Sequence, residues 1–204
     1  MNHFYEESHF IVNYFYLILI NLLFWSYGIP WYKRRCINIR KIRRYFIEEI
    51  NFNNYDVGKV IKVIDGDTIK VLFEHGEARN VRLLLINAPE KQNMFFKESK
   101  DYATEVLLNK TVYIEFEETK TDMFNRLLGY VWYKENDRYY LFNYEIIKRS
   151  LAKVSHVYSD TKYLDILRKA EESTKEFKEY IWEIEGYADN FINKFDMSVY
   201  DTFS

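Results

Sequence analysis

Residues 58–87 read GKVIKVIDGDTIKVLFEHGEARNVRLLLIN. Lys59–Ile64 and Thr68–Phe73 alternate polar residues with Val, Ile and Leu, the period of a half-buried strand. Asp65-Gly66-Asp67 between them carries the residue types of a tight turn. Gly76 marks a second turn, and Val81–Ile86 predicts a third strand, so the stretch is a three-stranded meander. Downstream, the spacing predicts a helix over Glu98–Leu108, strands over Thr111–Phe116 and Leu127–Tyr133, and a turn at Asn136-Asp137. Two further helices are predicted over Tyr144–Ser150 and Tyr163–Ile184, the latter with Leu164, Leu167, Ala170 and Phe177 on one side. Residues 186–204 read as a loose tail. The pattern predicts an α+β domain, and five strands suffice for a small barrel.

Upstream, the composition changes. Phe10–Tyr32 is 23 residues without a formal charge. As a helix at ~1.5 Å per residue it would cross a hydrocarbon core of ~30 Å, with Trp25, Trp31 and Tyr32 near one interface. Glu6 and Glu7 ahead of it, and its length, fit a retained anchor better than a cleaved signal peptide; cleavage would leave a soluble domain instead. Lys33, Arg34, Arg35, Arg40, Lys41, Arg43 and Arg44 follow at once. Such a cluster predicts that this side faces the cytosol or an equivalent negative compartment, among anionic headgroups. The expected organisation is an N-terminal segment (1–9), a transmembrane helix (10–32), a basic juxtamembrane linker (33–54), a folded domain (55–185) and a tail (186–204).

The formal net charge of −2 over 204 residues conceals this asymmetry. Residues 1–54 carry seven basic and four acidic residues, a net of +3; the remainder carries 22 and 27, a net of −5. The single Cys excludes an intramolecular disulfide framework and a Cys-based zinc site. No disulfide partner is expected, and a monomer is the expected state.

Chemistry-bearing residues concentrate at strand ends, where function tends to lie. Asp65 and Asp67 occupy the first turn. Arg82 lies in the third strand, followed by Asn87-Ala88-Pro89-Glu90, and Arg126 closes Asp122-Met123-Phe124-Asn125-Arg126. Carboxylate, amide and carbonyl oxygens suit a hard cation such as Ca²⁺. Two arginines suit a phosphodiester, since each guanidinium donates two bonds to its oxygens. A glutamate nearby can take a proton from water. Together they make a metal-assisted phosphodiester hydrolysis site.

Val63–Thr68 (VIDGDT), Val81–Glu90 (VRLLLINAPE) and Thr121–Arg126 (TDMFNR) resemble the staphylococcal nuclease (thermonuclease) family, as do Ser150–Val154 (SLAKV), Leu167–Glu171 (LRKAE) and Ile181-Trp182. The resemblance runs in order from about Gly58 to Glu185 and leaves out the apolar segment. It implies an OB-fold five-stranded β-barrel with three helices, and a Ca²⁺-dependent endonuclease acting on DNA and RNA that leaves a 3′-phosphate and a 5′-hydroxyl. It further implies Asp67 and the Ala88 carbonyl as metal ligands, with Asp65 and Thr68 supporting them. Glu90 resembles the residue that activates water, and Arg82 and Arg126 the pair that stabilises charge on the phosphate. Asn87 falls where the family has a second ligand carboxylate, so one negative charge is missing. Phe124, His156 and Tyr158 fall at the family's substrate-stacking tyrosines, and Lys153 is a candidate phosphate contact. An anchored nuclease of this kind would suit a mitochondrial membrane. The competing expectation is a catalytically weakened domain of the same fold that binds nucleic acid or protein.

Overall fold

The computed structural model describes residues 44–49, 51–155, 159, 161–188 and 194–199. The expected membrane segment, the cluster up to Arg43, His156 and Tyr158 lie outside the described residues. Among the described residues, no helix is long and apolar enough to cross a membrane.

Five strands close a barrel. β2 (Asp56–Val63), β3 (Thr68–Phe73) and β4 (Ala78–Leu83) form the antiparallel meander. β4 pairs in parallel with β7 (Leu127–Glu135), β7 pairs with β6 (Thr111–Glu115), and β6 returns to β2. Closure leaves no open sheet edge within the barrel. Val60, Ile69, Val71, Val81, Val112, Ile114 and Val131 are fully buried inside it, while Tyr130 and Trp132 are fully buried on the other face of β7. Each contributes roughly 1.5–3 kcal/mol by leaving water, which fixes the register, because a one-residue slip would turn the apolar set outward.

Beyond the barrel, β7 turns at Asn136-Asp137 into β8 (Arg138–Leu141), and β1 (Phe46–Ile47) pairs with β8. This strand pairing falls within the stretch expected as a juxtamembrane linker (33–54). Arg44 explains why. Its guanidinium forms ion pairs with Glu135 and Glu145, bonds the Tyr133 hydroxyl, and stacks 3.7 Å above the Tyr140 ring.

Among the described residues, the three α-helices are α1 (Phe96–Leu107), α2 (Phe142–Lys148) and α3 (Leu164–Lys175). Leu164, Leu167, Ala170 and Thr174 form the buried face of α3. The long helix expected over residues 163–184 is corrected. It stops at Lys175, Lys178 and Tyr180 take left-handed backbone (φ 48° and 49°), and a 3-10 turn follows at Tyr180–Trp182. Stopping there releases Ile181 and Trp182 to build a second cluster with Tyr187, Ala188 and Phe195, leaving Phe177 exposed. The segment expected to be a loose tail thus contributes three buried side chains.

The expected third strand over residues 81–86 is also divided. Leu85 takes φ 61°, so β4 ends at Leu83 and β5 (Ile86–Asn87) starts a separate ladder with β9 (Lys153–Val154). Left-handed leucine costs of order 1–3 kcal/mol. The surroundings enforce it: Leu84 N–H donates to Gly129 O at 3.0 Å, Ser155 N–H to Leu85 O at 3.0 Å, and Asn143 Nδ2 to Leu84 O at 2.8 Å.

Candidate active site

The β2–β3 turn builds the acidic side of the site. Asp67 N–H donates to Asp65 Oδ1 at 3.1 Å, an Asx turn that curls the loop. Gly66 is required by close packing, since a Cβ there would lie 1.9 Å from Ser99 Oγ on α1 and 2.8 Å from the Ala88 Cβ. Asp67 is itself buried. Its Oδ1 accepts from Thr68 Oγ1 at 3.0 Å and its Oδ2 from the Ala88 amide at 2.6 Å. Burial and the neighbouring Asp67 charge push the Asp65 carboxyl up to about 7.

Arg82 completes this cluster from β4, where Thr68 is its cross-strand partner. Nη1 lies 2.5 Å from Asp67 Oδ1, and Nη2 donates to Asn87 Oδ1 at 3.0 Å. One guanidinium thus spans the side-chain oxygens of Asp67 and Asn87. The kink at Leu85 delivers Asn87 to that position. Glu90, three residues on, is exposed and accepts from Gln92 Nε2 at 3.1 Å.

Arg126 directly precedes Leu127, the partner of Val81, so it enters one strand away from Arg82. Asp122 fixes it: Oδ2 accepts from Arg126 Nε at 2.7 Å, while Oδ1 accepts the Phe124 and Arg126 amides at 2.9 Å each. Burial raises the Asp122 carboxyl, but these bonds and the Arg126 charge hold it below its usual range. Arg79 clips the loop to β4 through Asn125 O and Oδ1, both at 3.0 Å. At the loop tip Phe124 is 72% exposed, its ring 5.5 Å from the Arg126 guanidinium.

The structure therefore brings Asp65, Asp67, Thr68, Arg82, Asn87 and Ala88 into one hydrogen-bonded cluster, with Arg126 and Phe124 on the adjoining strand entry. Lys153 is placed differently from a solvent-facing phosphate contact. It is buried opposite Asn87 in the β5–β9 ladder, and its ammonium donates to Lys194 O at 2.9 Å and Ala188 O at 3.3 Å. Two positioning residues were not singled out from sequence, Asp122 and Asn143. Asp122 had a local signal, an Asx-type loop closing on Arg126. Asn143 had none, because its partners, the Val131 amide (3.0 Å) and Leu84 O, are distant in sequence.

The oxygen donors suit Ca²⁺: a buried carboxylate and an amide oxygen converge on one positive group, beside the Ala88 backbone. Among the described residues, no group of three or more His, Cys, Asp or Glu is placed to hold a metal ion, so a cation here would rely on amide and carbonyl oxygens.

A closed barrel with this strand order, three helices and an arginine–aspartate rim defines the nuclease-like branch of the OB-like folds. The family model described as staphylococcal nuclease homologue matches residues 80–184. Thermonuclease from Staphylococcus hyicus is 31% identical over 135 residues, covering 63% of this chain and 77% of that protein. Endonuclease YncB of Bacillus subtilis (strain 168) is 33% identical over 137 residues, 63% of each chain. The SPbeta prophage-derived endonuclease YokF of the same strain is 33% identical over 134 residues, 62% of this chain and 44% of its own. The chain belongs to the staphylococcal nuclease family.

Proposed function

We propose that this protein is a Ca²⁺-dependent endonuclease that hydrolyses phosphodiester bonds of DNA and RNA while anchored to a membrane by residues 10–32. The observation that carries the catalytic part is the convergence of Asp67 Oδ1 and Asn87 Oδ1 on Arg82. Asp67, the Asn87 amide oxygen and the Ala88 carbonyl would hold Ca²⁺, which when bound polarises a phosphoryl oxygen as a Lewis acid. Asp65 and Thr68 orient Asp67 from either side.

Glu90 takes a proton from the attacking water, whose oxygen bonds to phosphorus as the bond to the 5′ oxygen breaks. The 5′ oxygen leaves as a hydroxyl, with a proton from solvent, and phosphate stays on the 3′ side. Arg82 and Arg126 donate to the phosphate oxygens as charge builds on them. Phe124 offers an exposed ring on which a base stacks, and His156 and Tyr158 are proposed to add to that platform.

The missing carboxylate at Asn87 favours a second reading, a binding module of weakened activity. The full chain in neutral detergent, given single-stranded DNA and roughly millimolar Ca²⁺, decides between them: cleavage is expected, and binding without cleavage supports the module. Glu90→Gln is expected to lower kcat by about 10²–10⁴ without a change in melting temperature, because Glu90 is exposed. For the anchor, alkaline carbonate extraction should leave the chain in the membrane pellet. The domain would lie on the side of the basic cluster, with a mitochondrial membrane as the candidate home.

A further inference from the structure

We propose that the outer face of β2–β3–β4 is an extended binding track for single-stranded nucleic acid, running away from the arginine pair. This rests on the nucleic-acid reading above and adds to it the path of the strand.

Alternation assigns the outward positions. On β3, Lys70 and Leu72 face out while Ile69, Val71 and Phe73 are buried. On β2, Lys59, Ile61 and Lys62 are exposed, the last two together because the register shifts between Val60 and Lys62. On β4, Asn80 and Arg82 alternate with buried Val81 and Leu83.

Register then orders them across the sheet. Lys62 is paired with Lys70, Lys70 with Asn80, and Lys59 with Leu72. Neighbouring strands are ~4.8 Å apart, so Lys62, Lys70 and Asn80 form one row, and Arg82 lies two residues (~7 Å) further along β4. Arg126 enters on the next strand.

Like charges directly opposite in a ladder are destabilising. Lys62 and Lys70 are nevertheless so placed, and neither they nor Lys59 forms an ion pair among the described residues. No outward position of these strands named here is a carboxylate; Asp65 and Asp67 lie in one connecting turn, and Glu74 and Glu77 flank the other. In a body of net −5, this is a selectively cationic face. Ile61 (42% exposed) and Leu72 (41% exposed) sit among the lysines. Cations interleaved with exposed apolar side chains suit a strand whose phosphates and unstacked bases are both accessible.

The test is fluorescence anisotropy without divalent ions, using full chain in neutral detergent and a labelled single-stranded oligonucleotide of about 20 nucleotides, longer than a ~4–16-nucleotide OB-fold site. Lys62→Gln/Lys70→Gln should weaken binding about tenfold at low salt and flatten the log–log salt slope by ~1.4, or ~0.7 per lost phosphate contact. Lys169→Gln/Lys178→Gln removes equal charge from exposed positions elsewhere and should leave both values near wild type. Wild type failing to bind, an unchanged slope in the first variant, or equal losses in both variants would overturn the track. Binding is read without turnover, so loss of cleavage alone counts against the catalytic reading and leaves the track standing.

Discussion

Arg82 bridges Asp67 and Asn87: Nη1 lies 2.5 Å from Asp67 Oδ1 and Nη2 donates to Asn87 Oδ1 at 3.0 Å. The arginine proposed to hold the phosphate is thus also the counter-ion of the oxygens proposed to hold Ca²⁺. Asn87→Asp adds a formal charge at the Oδ1 position. It is expected to tighten Ca²⁺ binding about tenfold, ~1.4 kcal/mol, in isothermal titration calorimetry. An unchanged Kd would remove Asn87 from the ligand set.

Asn143 ties β7 to the turn between β4 and β5, accepting from Val131 N–H and donating to Leu84 O while fully buried. Asn143→Ala strands both backbone groups and is expected to cost about 2–4 kcal/mol in urea unfolding, at ~1–3 kcal/mol per unsatisfied group. Because Leu84 precedes the kink that presents Asn87, Ca²⁺ affinity should fall along with stability. A stability loss with unchanged affinity would separate the kink from the site.

Glu171 on α3 accepts the Val154 amide at 2.6 Å. Burial pushes its carboxyl up, outweighing the Val154 bond and Lys175, which pull it down. The folded state therefore holds this proton more tightly than the unfolded chain does. Its stabilising contribution is complete below the ordinary glutamate value near 4.5 and is lost as pH rises through the raised folded value. Glu171→Gln keeps an acceptor for Val154 and removes the charge. Urea midpoints across that window should decline less in the variant than in wild type, and parallel declines would contradict the assignment.

Arg44→Ala leaves the buried Glu145 carboxylate without its guanidinium partner. Breaking a buried pair on one side is expected to cost of order 3 kcal/mol, seen as a lower melting temperature. Adding Glu145→Leu should recover part of it. A loss near the ~0–1 kcal/mol of a surface pair would show that water compensates Glu145.

Much of this domain was legible where the physics is local. Thr68–Phe73 carries Ile69, Val71 and Phe73 at period 2, and its strand bounds match. Asp65-Gly66-Asp67 carries turn chemistry, and the adjacency of Asn87, Ala88 and Glu90 in sequence survives folding. What escaped depends on contacts between remote segments. Leu85, Lys178 and Tyr180 adopt left-handed backbone with no glycine to announce it. The helical period over residues 163–184 continues past Lys175, yet Ile181 and Trp182 bury better against Tyr187 and Phe195. Lys153 reads as a solvated cation until the carbonyls of Ala188 and Lys194 come to it. The short β1 strand has no pattern of its own and exists because Arg44 and β8 receive it.

That N-terminal joint also sets a mechanical order. Tension applied ahead of Arg44 enters the domain through one guanidinium clamp, the Tyr45 ring packed on Trp132, Tyr144 and Tyr163, and a two-residue strand pairing, a handful of contacts at ~1 kcal/mol each. The closed barrel behind them is loaded only after they yield. Under pulling, the joint should peel first and pay out slack, while the cluster around Asp67 and Arg82 keeps its shape.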